Sequence, residues 1–332
     1  MGSSILVIAE HREGKLDKGT WEALVAGQRL AAQVNGTVSA VLLGQGVATL
    51  ANELASKMLR EVLVIEDERL AEYTPDGYTA ALVPVLRQEA PDFVFMSHTY
   101  QARDFAPKLA AALGKALVSD CIGYRVENGT VIYTRPIFQG KLNAEVRFAD
   151  DPPYLVTFQA GAFRADEVEA AATPAPIRAL AVDLSQVTIR VRPLERFREA
   201  KQAVDLSSAE RIVAIGRGIK SEEHLALIRK LAEVLDAEIG ASRPVCDSGW
   251  LPMDRQIGSS GQTVSPKLYL AIGISGAIQH VVGMKGSRTI VAINKDPEAP
   301  IFDIADYGIV GDLFEIVPAL IKALEQLKEQ SI

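Results

Sequence analysis

The sequence predicts an α/β protein made of two doubly wound domains with mostly parallel sheets. Short apolar runs alternate with amphipathic segments through the first 114 residues, and the same alternation returns after residue 210. A continuous apolar run is typical of a strand that is buried on both faces of a parallel sheet. The length of 332 residues suits two ordinary domains, and the 48% hydrophobic and 23% charged composition is that of a globular protein.

Four pairs of a strand and a helix open the first domain. An apolar run marks each strand, and apolar residues spaced three and four apart mark each helix. The predicted strands cover residues 5–10, 37–44, 61–67 and 92–98, and the predicted helices cover residues 21–34, 46–58, 78–90 and 103–114.

An added antiparallel β portion follows these pairs. Asn128-Gly129 lies between two runs of alternating polarity, which is the pattern of a tight β-hairpin. Two more strands are predicted, one on each side of Pro152-Pro153.

The segment over residues 164–203 is rich in Ala, Pro, Arg and Glu, and we interpret it as the domain connection. One strand is predicted within it, at residues 186–193 (QVTIRVRP). The predicted domains therefore cover residues 1–203 and 204–332.

The second domain repeats the alternation of strands and helices. A strand at residues 211–215 is followed by a glycine turn, a helix capped by Ser221 and another short strand. The later predicted elements are a strand from Leu268, a helix from about Ala277, a strand over residues 289–296, a short segment over residues 307–312 and a final helix over residues 314–330.

The composition excludes several classes of function. A net charge of -7 gives no support for nucleic-acid binding, and no apolar run approaches the length of about 20 residues that spans a bilayer. Cys121 and Cys246 match no metal-binding spacing and are too few for a disulfide scaffold, which indicates a reducing cytoplasm. The motifs of hydrolases and phosphoryl transferases are not found, and no metal site is predicted.

Small and charged residues follow the predicted strands of the second domain, where α/β sheets bind their ligands. Glycines allow close backbone approach, and arginines at two strand ends suit a pyrophosphate. Spacing alone leaves two interpretations open, a dinucleotide site or ordinary packing, because glycines at strand ends are common and GRG is not the GxGxxG pattern. The residues concerned are Arg217, Ser242, Arg243, Ser275, Gly276, Asn294 and Asp312.

Several motifs are similar to those of one known family. Residues 268–271, 273–276, 278–280 and 292–294, with Gly283 between them, follow a signature of that family. GRGIKS, GASRPVCDSGW, LPMDRQIG and the segment from Asn294 to Phe314 agree with the same family. Over almost its whole length the chain therefore resembles the α subunit of electron transfer flavoprotein. That family is a heterodimer with one FAD, held mainly by the C-terminal domain of α in a cleft facing β.

The resemblance implies a Rossmann-like FAD-binding domain in the C-terminal half. Arg243 would lie against the isoalloxazine ring, His280 would approach its N1/O2 edge, and these two residues with Ser260 would tune the flavin. The implied cofactor-binding residues are Arg217, Ser242, Arg243, Ile257, Gly258, Ser259, Ser260, Ser275, Gly276, Ala277, Ile278, Gln279, His280, Asn294, Asp312 and Leu313.

One departure from the family pattern concerns the partner of flavin N5. The family usually shows Gly-Gln-Thr-Gly, whereas residues 258–261 read Gly-Ser-Ser-Gly. The resemblance assigns the N5 hydrogen bond to Ser260, which keeps the hydroxyl group. A shifted loop would instead present Thr263, because Gln262-Thr263 repeats the Gln-Thr pair three residues later.

A one-electron carrier needs a stabilised flavin semiquinone, whose negative charge lies at N1/O2. A cation about 4 Å away contributes roughly 4 kcal/mol at an effective dielectric constant near 20, and a helix N-terminus near Ser275 adds up to about 1 kcal/mol. A few kcal/mol moves a one-electron potential by on the order of 100–200 mV. We therefore expect His280 and Arg243 to act as cations, and expect His280→Ala or Arg243→Ala to lower the potential.

The resemblance implies an electron carrier rather than an enzyme with its own substrate. Paired with the β subunit, it would pass electrons from dehydrogenases, such as acyl-CoA dehydrogenases, to a quinone oxidoreductase or another acceptor. An alternative is the α subunit of an electron-bifurcating, NADH-oxidising form with a second FAD in β, and another is a scaffold without redox turnover. The expected location is the prokaryotic cytoplasm, or the mitochondrial matrix for a processed eukaryotic form, without membrane insertion.

Overall fold

The computed structural model describes residues 2–138, 140–194 and 205–330. The chain folds as two compact units, Met1–Arg196 and Phe197–Ile332. The predicted boundary between residues 203 and 204 lies outside the described residues.

The first unit contains twelve described strands and four described α-helices. In chain order the strands are β1 (Ser4–Ala9), β2 (His11–Arg12), β3 (Lys15–Leu16), β4 (Thr37–Gly44), β5 (Val62–Glu66), β6 (Phe93–Ser97), β7 (Leu117–Cys121), β8 (Gly123–Glu127), β9 (Thr130–Ile137), β10 (Leu142–Val146), β11 (Tyr154–Phe158) and β12 (Ile177–Ala179). The helices are α1 (Lys18–Val34), α2 (Ala48–Ala55), α3 (Pro75–Glu89) and α4 (Tyr100–Leu113).

A seven-stranded parallel sheet forms the centre of this unit, in the order β12-β5-β4-β1-β6-β11-β7. Successive residues of a strand point to opposite faces, so each strand feeds two cores. On β1, Ile5 and Val7 join the core that includes residues of α1 and α2, whereas Leu6 and Ile8 join the core that includes residues of α3 and α4. The predicted doubly wound parallel sheet is therefore confirmed.

The added antiparallel portion is also confirmed. β8, β9 and β10 form a three-stranded antiparallel sheet. Asn128 and Gly129 join β8 to β9, and both have the positive φ angles, 49° and 78°, that a tight hairpin turn requires. Of the two strands predicted around the proline pair, β10 belongs to this sheet, while β11 returns to the parallel sheet.

The segment after β11 differs from the prediction. The strand predicted at residues 186–193 is wrong, since these residues form no strand. Side chains hold this segment instead: Arg69 donates to the carbonyl groups of Leu184 and Val187, and Asp76 Oδ2 accepts from the Arg190 amide at 2.8 Å. The strand that does form is the short β12, which pairs with β5 at the edge of the sheet.

The second unit contains five strands and four α-helices among its described residues. The strands are β13 (Arg211–Ile215), β14 (Glu238–Ala241), β15 (Leu268–Ile272), β16 (Ile290–Asn294) and β17 (Tyr307–Val310). The helices are α5 (Leu225–Leu235), α6 (Arg243–Asp247), α7 (Ile278–Val281) and α8 (Leu313–Gln330). Ser221 precedes a 3₁₀ turn before α5, but its side chain does not make the predicted capping hydrogen bond.

The five strands form one parallel sheet in the order β14-β13-β15-β16-β17. Val213 and Ile215 of β13 face a core that includes residues of α5 and α8. Ile212 and Ala214 face the opposite core, which is covered mainly by segments with little regular structure. Those covering segments contain residues 257–264 and 274–284, so much of the predicted site lies in the layer over this face of the sheet.

Both cysteines are buried. Cys121 ends β7, and Cys246 lies in α6. Burial raises the pKa of Cys121 to about 12 and that of Cys246 to about 11. In the described part of the chain, no helix has the length and apolar character that crossing a membrane requires.

Candidate functional site

The carboxyl ends of β13 and β15 form the switch point of the second sheet. β14 lies on one side of β13 and β15 lies on the other, so the connections that leave β13 and β15 diverge. A crevice opens at such a divergence and is the usual ligand position in open α/β sheets. Arg217 follows β13 at this point and is exposed, so its guanidinium group is available to an anionic ligand.

Glycines allow the two strand ends to approach each other. The Gly218 amide donates to the Gly273 carbonyl at 3.2 Å, and a Cβ atom on Gly216 would stand only 2.2 Å from the Gly273 oxygen. No side chain fits in that space. Gly216 and Gly218 are therefore explained by packing, whereas Arg217 between them is left to face a ligand.

Ser242 and Arg243 follow β14. The Ser242 amide donates to the carbonyl of Ile215 at 2.9 Å, which fixes this turn beside the end of β13. The Arg243 side chain is 68% exposed and forms an ion pair with Asp247 at 3.3 Å. An exposed pair four residues apart on a helix contributes only about 0.3–0.5 kcal/mol, so a ligand can replace Asp247 at little cost.

The segment over residues 257–260 connects the end of β14 to the covering segment that contains residues 274–284. At one end, the Ile257 amide donates to the carbonyl of Ala241, at the end of β14, at 2.9 Å. At the other end, the Ser259 amide donates to the carbonyl of Gln279 at 2.7 Å. Gly258 has a φ angle of +144°, and a Cβ atom there would lie 2.7 Å from the same Gln279 oxygen. The structure thus brings the predicted residues 257–260 and 279–280 together.

Ser260 and Thr263 have different surroundings. Ser260 is exposed at the tip of the turn, and its hydroxyl oxygen accepts from Gln256 Nε2 at 2.9 Å. Thr263 follows Gln262, whose side chain accepts from the Leu206 amide at 3.0 Å and donates to the Asp254 carbonyl. Ser260 is exposed whereas Thr263 is half-buried, so of these two the Ser260 hydroxyl group is the more accessible.

His280 is buried, with both ring nitrogens bound to protein groups. Nδ1 lies 3.0 Å from the Ile257 carbonyl, and Nε2 lies 2.8 Å from the Tyr269 hydroxyl. A carbonyl oxygen only accepts, so Nδ1 carries the proton, and Nε2 of the neutral ring accepts from Tyr269. Burial lowers the pKa of His280 to about 4, although the bond to Ile257 opposes this shift. In this arrangement the ring is neutral at neutral pH, which does not support the cationic His280 that was expected, and it ties the loop to β15.

The turn after β15 contains the predicted residues Ser275, Gly276, Ala277 and Ile278. Gly276 has a φ angle of +88°, and a Cβ atom on it would lie 2.2 Å from the Ile301 amide nitrogen. Ala277 and Ile278 are exposed at the start of α7. Only Ile278–Val281 are helical, so α7 is too short to supply the helix dipole that was predicted near Ser275.

Asn294, Asp312 and Leu313 are positioned mainly by local hydrogen bonds and packing. Asn294 Nδ2 donates to the Ile274 carbonyl at 2.9 Å and so links β16 to the turn after β15. Asp312 Oδ1 accepts from the Phe314 amide at 2.9 Å and is exposed at the start of α8. Leu313 is buried in the core on the α8 side of the sheet, which leaves only its backbone for a ligand.

Two residues of this region were not predicted as site residues. Tyr269 is fully buried in β15 and holds His280, and Gln256 is 2% exposed and holds Ser260. A sequence signal exists for Tyr269, because a tyrosine inside the apolar run LYLAI needs a hydrogen-bond partner for its hydroxyl group. Gln256 has no comparable signal apart from its place beside the loop.

The residues present fit an extended anionic cofactor such as FAD. Exposed guanidinium groups at the ends of β13 and β14 suit phosphate groups, and the exposed hydroxyl groups of Ser259 and Ser260 lie beside the ring-bearing part of the predicted site. The buried Oε1 atom of Gln256 has no hydrogen-bond partner among the described residues. In the same part of the chain, no group of three or more His, Cys, Asp or Glu side chains is placed to hold a metal ion.

Similar proteins of known family identify the family of this chain. Residues 5–185 match the electron transfer flavoprotein domain family, and residues 205–285 match the electron transfer flavoprotein FAD-binding domain family. The electron transfer flavoprotein subunit alpha of Bacillus subtilis is 44% identical over 331 residues, covering 100% of both chains. The subunit of the same name from Thermoanaerobacterium thermosaccharolyticum is 40% identical, covering 98% of both. Subunit LctC of the lactate dehydrogenase (NAD(+),ferredoxin) of Acetobacterium woodii is 34% identical, covering 97% of this chain and 77% of LctC.

FAD is accordingly the cofactor of the second unit. The similarity extends over both units and the full length of the alpha subunits. The chain belongs to the family of electron transfer flavoprotein alpha subunits.

Proposed function

We propose that this chain is the FAD-binding α subunit of a heterodimer that carries electrons between soluble dehydrogenases, such as acyl-CoA dehydrogenases, and a quinone oxidoreductase or another acceptor. The observation that carries the proposal is the end-to-end similarity to the Bacillus subtilis alpha subunit. A β subunit as partner follows from the same relationship. A cytoplasmic location is proposed as well, because the two cysteines are free thiols.

The isoalloxazine ring of FAD, when bound, takes up and releases electrons. In this proposal the chain's own residues bind and orient it. Arg217 and Arg243 supply positive charge at the ends of β13 and β14, and the turn at Ser259 and Ser260 supplies hydroxyl groups. His280 supports this turn as a neutral residue, because both of its ring nitrogens are hydrogen-bonded within the protein.

Arg243 is then the cation proposed to stabilise negative charge on the ring. Its exposed guanidinium group is screened by water in the chain described here, and burial beneath a ligand and a partner subunit would strengthen its effect. We expect Arg243→Ala to lower the flavin potential in the purified heterodimer. The matched control is Arg229→Ala on α5, which removes an exposed arginine from a helix outside the predicted site.

Electron bifurcation is the second candidate function. The observation that favours it is the similarity to LctC, a subunit of a lactate dehydrogenase whose name includes NAD(+) and ferredoxin. That similarity is lower than the one to the Bacillus subtilis subunit, at 34% against 44% identity. The residues that distinguish the two functions are expected mostly in the β subunit.

Co-expression with the β subunit tests both candidates. The purified heterodimer is analysed for its FAD content and mixed anaerobically with NADH. One FAD per heterodimer and no reduction by NADH support the simple carrier, and two FAD with reduction by NADH support bifurcation. A heterodimer that binds no FAD contradicts both proposals.

A further inference from the structure

Gln256 is a buried amide immediately before the exposed turn of the FAD site. Its backbone is fixed on both sides, because its amide donates to the Met253 carbonyl at 3.1 Å and its carbonyl accepts from the Gln262 amide at 2.8 Å. The side chain is 2% exposed, and with the described residues it makes one hydrogen bond, from Nε2 to the Ser260 hydroxyl oxygen at 2.9 Å. Gln256 is thus held where it can set the orientation of Ser260.

The direction of this bond decides what Ser260 offers to a ligand. A serine hydroxyl group has one proton to donate and two lone pairs that accept. Because Gln256 Nε2 occupies one lone pair, the Ser260 proton does not point towards Gln256. Ser260 is exposed, so the proton is directed to the outer side of the turn.

We infer that Gln256 is a positioning residue that makes Ser260 a hydrogen-bond donor towards N5 of the flavin. This inference rests on the proposed FAD site. N5 of an oxidised flavin carries a lone pair and no proton, so it requires a donor. Gln256 does not contact the flavin in this scheme, and acts only through the Ser260 hydroxyl group.

The opposite orientation of the amide is disfavoured by the burial of Gln256. Rotating it by half a turn would let Oε1 accept the Ser260 proton and would remove the donor from the flavin side. Both N–H groups of Nε2 would then lie where Oε1 now finds no hydrogen-bond partner among the described residues. The observed orientation leaves one N–H group and the carbonyl oxygen without a partner, whereas the rotated one leaves both N–H groups so. A buried unpaired N–H group is tolerated less readily than an unpaired carbonyl oxygen, so the donor state of Ser260 is the stable one.

Two nearly isosteric substitutions separate polarity from packing. Gln256→Glu, measured at a pH at which the introduced carboxyl group is ionised, offers Ser260 a group that only accepts, so it draws the Ser260 proton inward. Gln256→Met fills the same space and offers neither a donor nor a strong acceptor. Ser260→Ala defines the state without the hydroxyl group, and Thr263→Val is the control for the alternative hydroxyl group.

The readout is the ¹⁵N chemical shift of N5 in heterodimers reconstituted with ¹⁵N-labelled FAD, since this shift responds directly to a hydrogen bond at N5. We expect Gln256→Glu to move the shift to the value of Ser260→Ala, Gln256→Met to move it part of the way, and Thr263→Val to leave it unchanged. The affinity for oxidised FAD should fall about tenfold in Gln256→Glu, which is the size of one lost hydrogen bond. The same substitution should have no further effect in a Ser260→Ala background.

Four outcomes overturn the inference while leaving the proposed function intact. The first two are that Ser260→Ala, or Gln256→Met, leaves the N5 chemical shift unchanged. The third is that Gln256→Glu and Gln256→Met change this shift equally. The fourth is that the losses of FAD affinity in Gln256→Glu and Ser260→Ala add up in the variant that carries both. If Gln256→Glu does not assemble, Gln256→Met and Ser260→Ala still decide the question through the first two outcomes. Failure of the unsubstituted heterodimer to bind FAD would instead overturn the proposed function.

Discussion

His280 should remain neutral well below the pH at which an ordinary histidine takes up a proton. Its pKa is lowered from 6.5 to about 4, chiefly by burial. The unfolded chain therefore binds this proton first as the pH falls, and the folded state loses stability between pH 6.5 and 4. For these two pKa values the loss between pH 7.5 and pH 5 is about 2 kcal/mol.

Imidazole NMR measures both parts of this prediction. The chain has four histidines, so ¹⁵N-histidine labelling and long-range ¹H–¹⁵N correlation give a small number of ring signals. The His280 signals, identified by their loss in His280→Gln, should show a proton on Nδ1 and none on Nε2, and should not titrate above pH 5. The pH dependence of the unfolding free energy should also be shallower in His280→Gln than in the unsubstituted protein. A proton on Nε2, or titration near pH 6.5, would refute the arrangement of Tyr269, His280 and Ile257.

Three further predictions concern stability. Tyr269→Phe removes the hydroxyl group that donates to His280. It should lower the free energy of unfolding in urea by about 1–3 kcal/mol with an unchanged m value. An unchanged free energy of unfolding would mean that the hydrogen bond is not formed. Burial raises the pKa of Glu10 to about 7 from 4.5, so its ionised form destabilises the fold as the pH rises through this range. Glu10→Gln should therefore stabilise the protein at pH 8 by up to about 3 kcal/mol, with a gain that shrinks towards pH 4.5, and a constant gain would contradict the shift. Gly216→Ala should cost about 1–3 kcal/mol through overpacking, measured by thermal unfolding. The control is Gly123→Ala, whose Cβ atom would have no neighbour within 4 Å and which should therefore cost less in that assay.

The helices of the first unit show what apolar periodicity detects. Three of them begin at Lys18, Pro75 and Tyr100, each three residues before the predicted start. The first turn of each is polar or mixed, and a capping side chain precedes it: Asp17, Thr74 and Thr99 accept hydrogen bonds from amides of that turn. Periodicity finds the buried face of a helix, whereas capping residues mark its beginning.

Strand prediction succeeded where burial on both faces produces a continuous apolar run. β4 and β13 have the predicted bounds, and both lie inside a parallel sheet. β7 was missed because its sequence, LVSDC, mixes polar and apolar residues at the end of the sheet. Residues 186–193 have an alternating pattern but no neighbouring strand, and pairing with another strand cannot be read from a local pattern.

The position of the candidate site could be predicted from the sequence, but the protonation state of His280 could not. Ligands of open α/β sheets lie outside the carboxyl ends of the strands, so the residues that follow the strands could be named from the sequence. The charge of His280 depends instead on how deeply the covering layer buries it and on the distant residue Ile257, whose carbonyl it meets. The assignments of FAD contacts to single residues remain predictions.

The burial of both thiols has a practical consequence for labelling this protein. A thiol reacts with maleimides through its thiolate, and neither Cys121 nor Cys246 supplies an accessible thiolate near neutral pH. A single cysteine introduced on an exposed surface should therefore take up a fluorophore or spin label selectively, without prior removal of the native cysteines. Distances from such a probe to the flavin could then be followed during turnover in an otherwise unaltered chain.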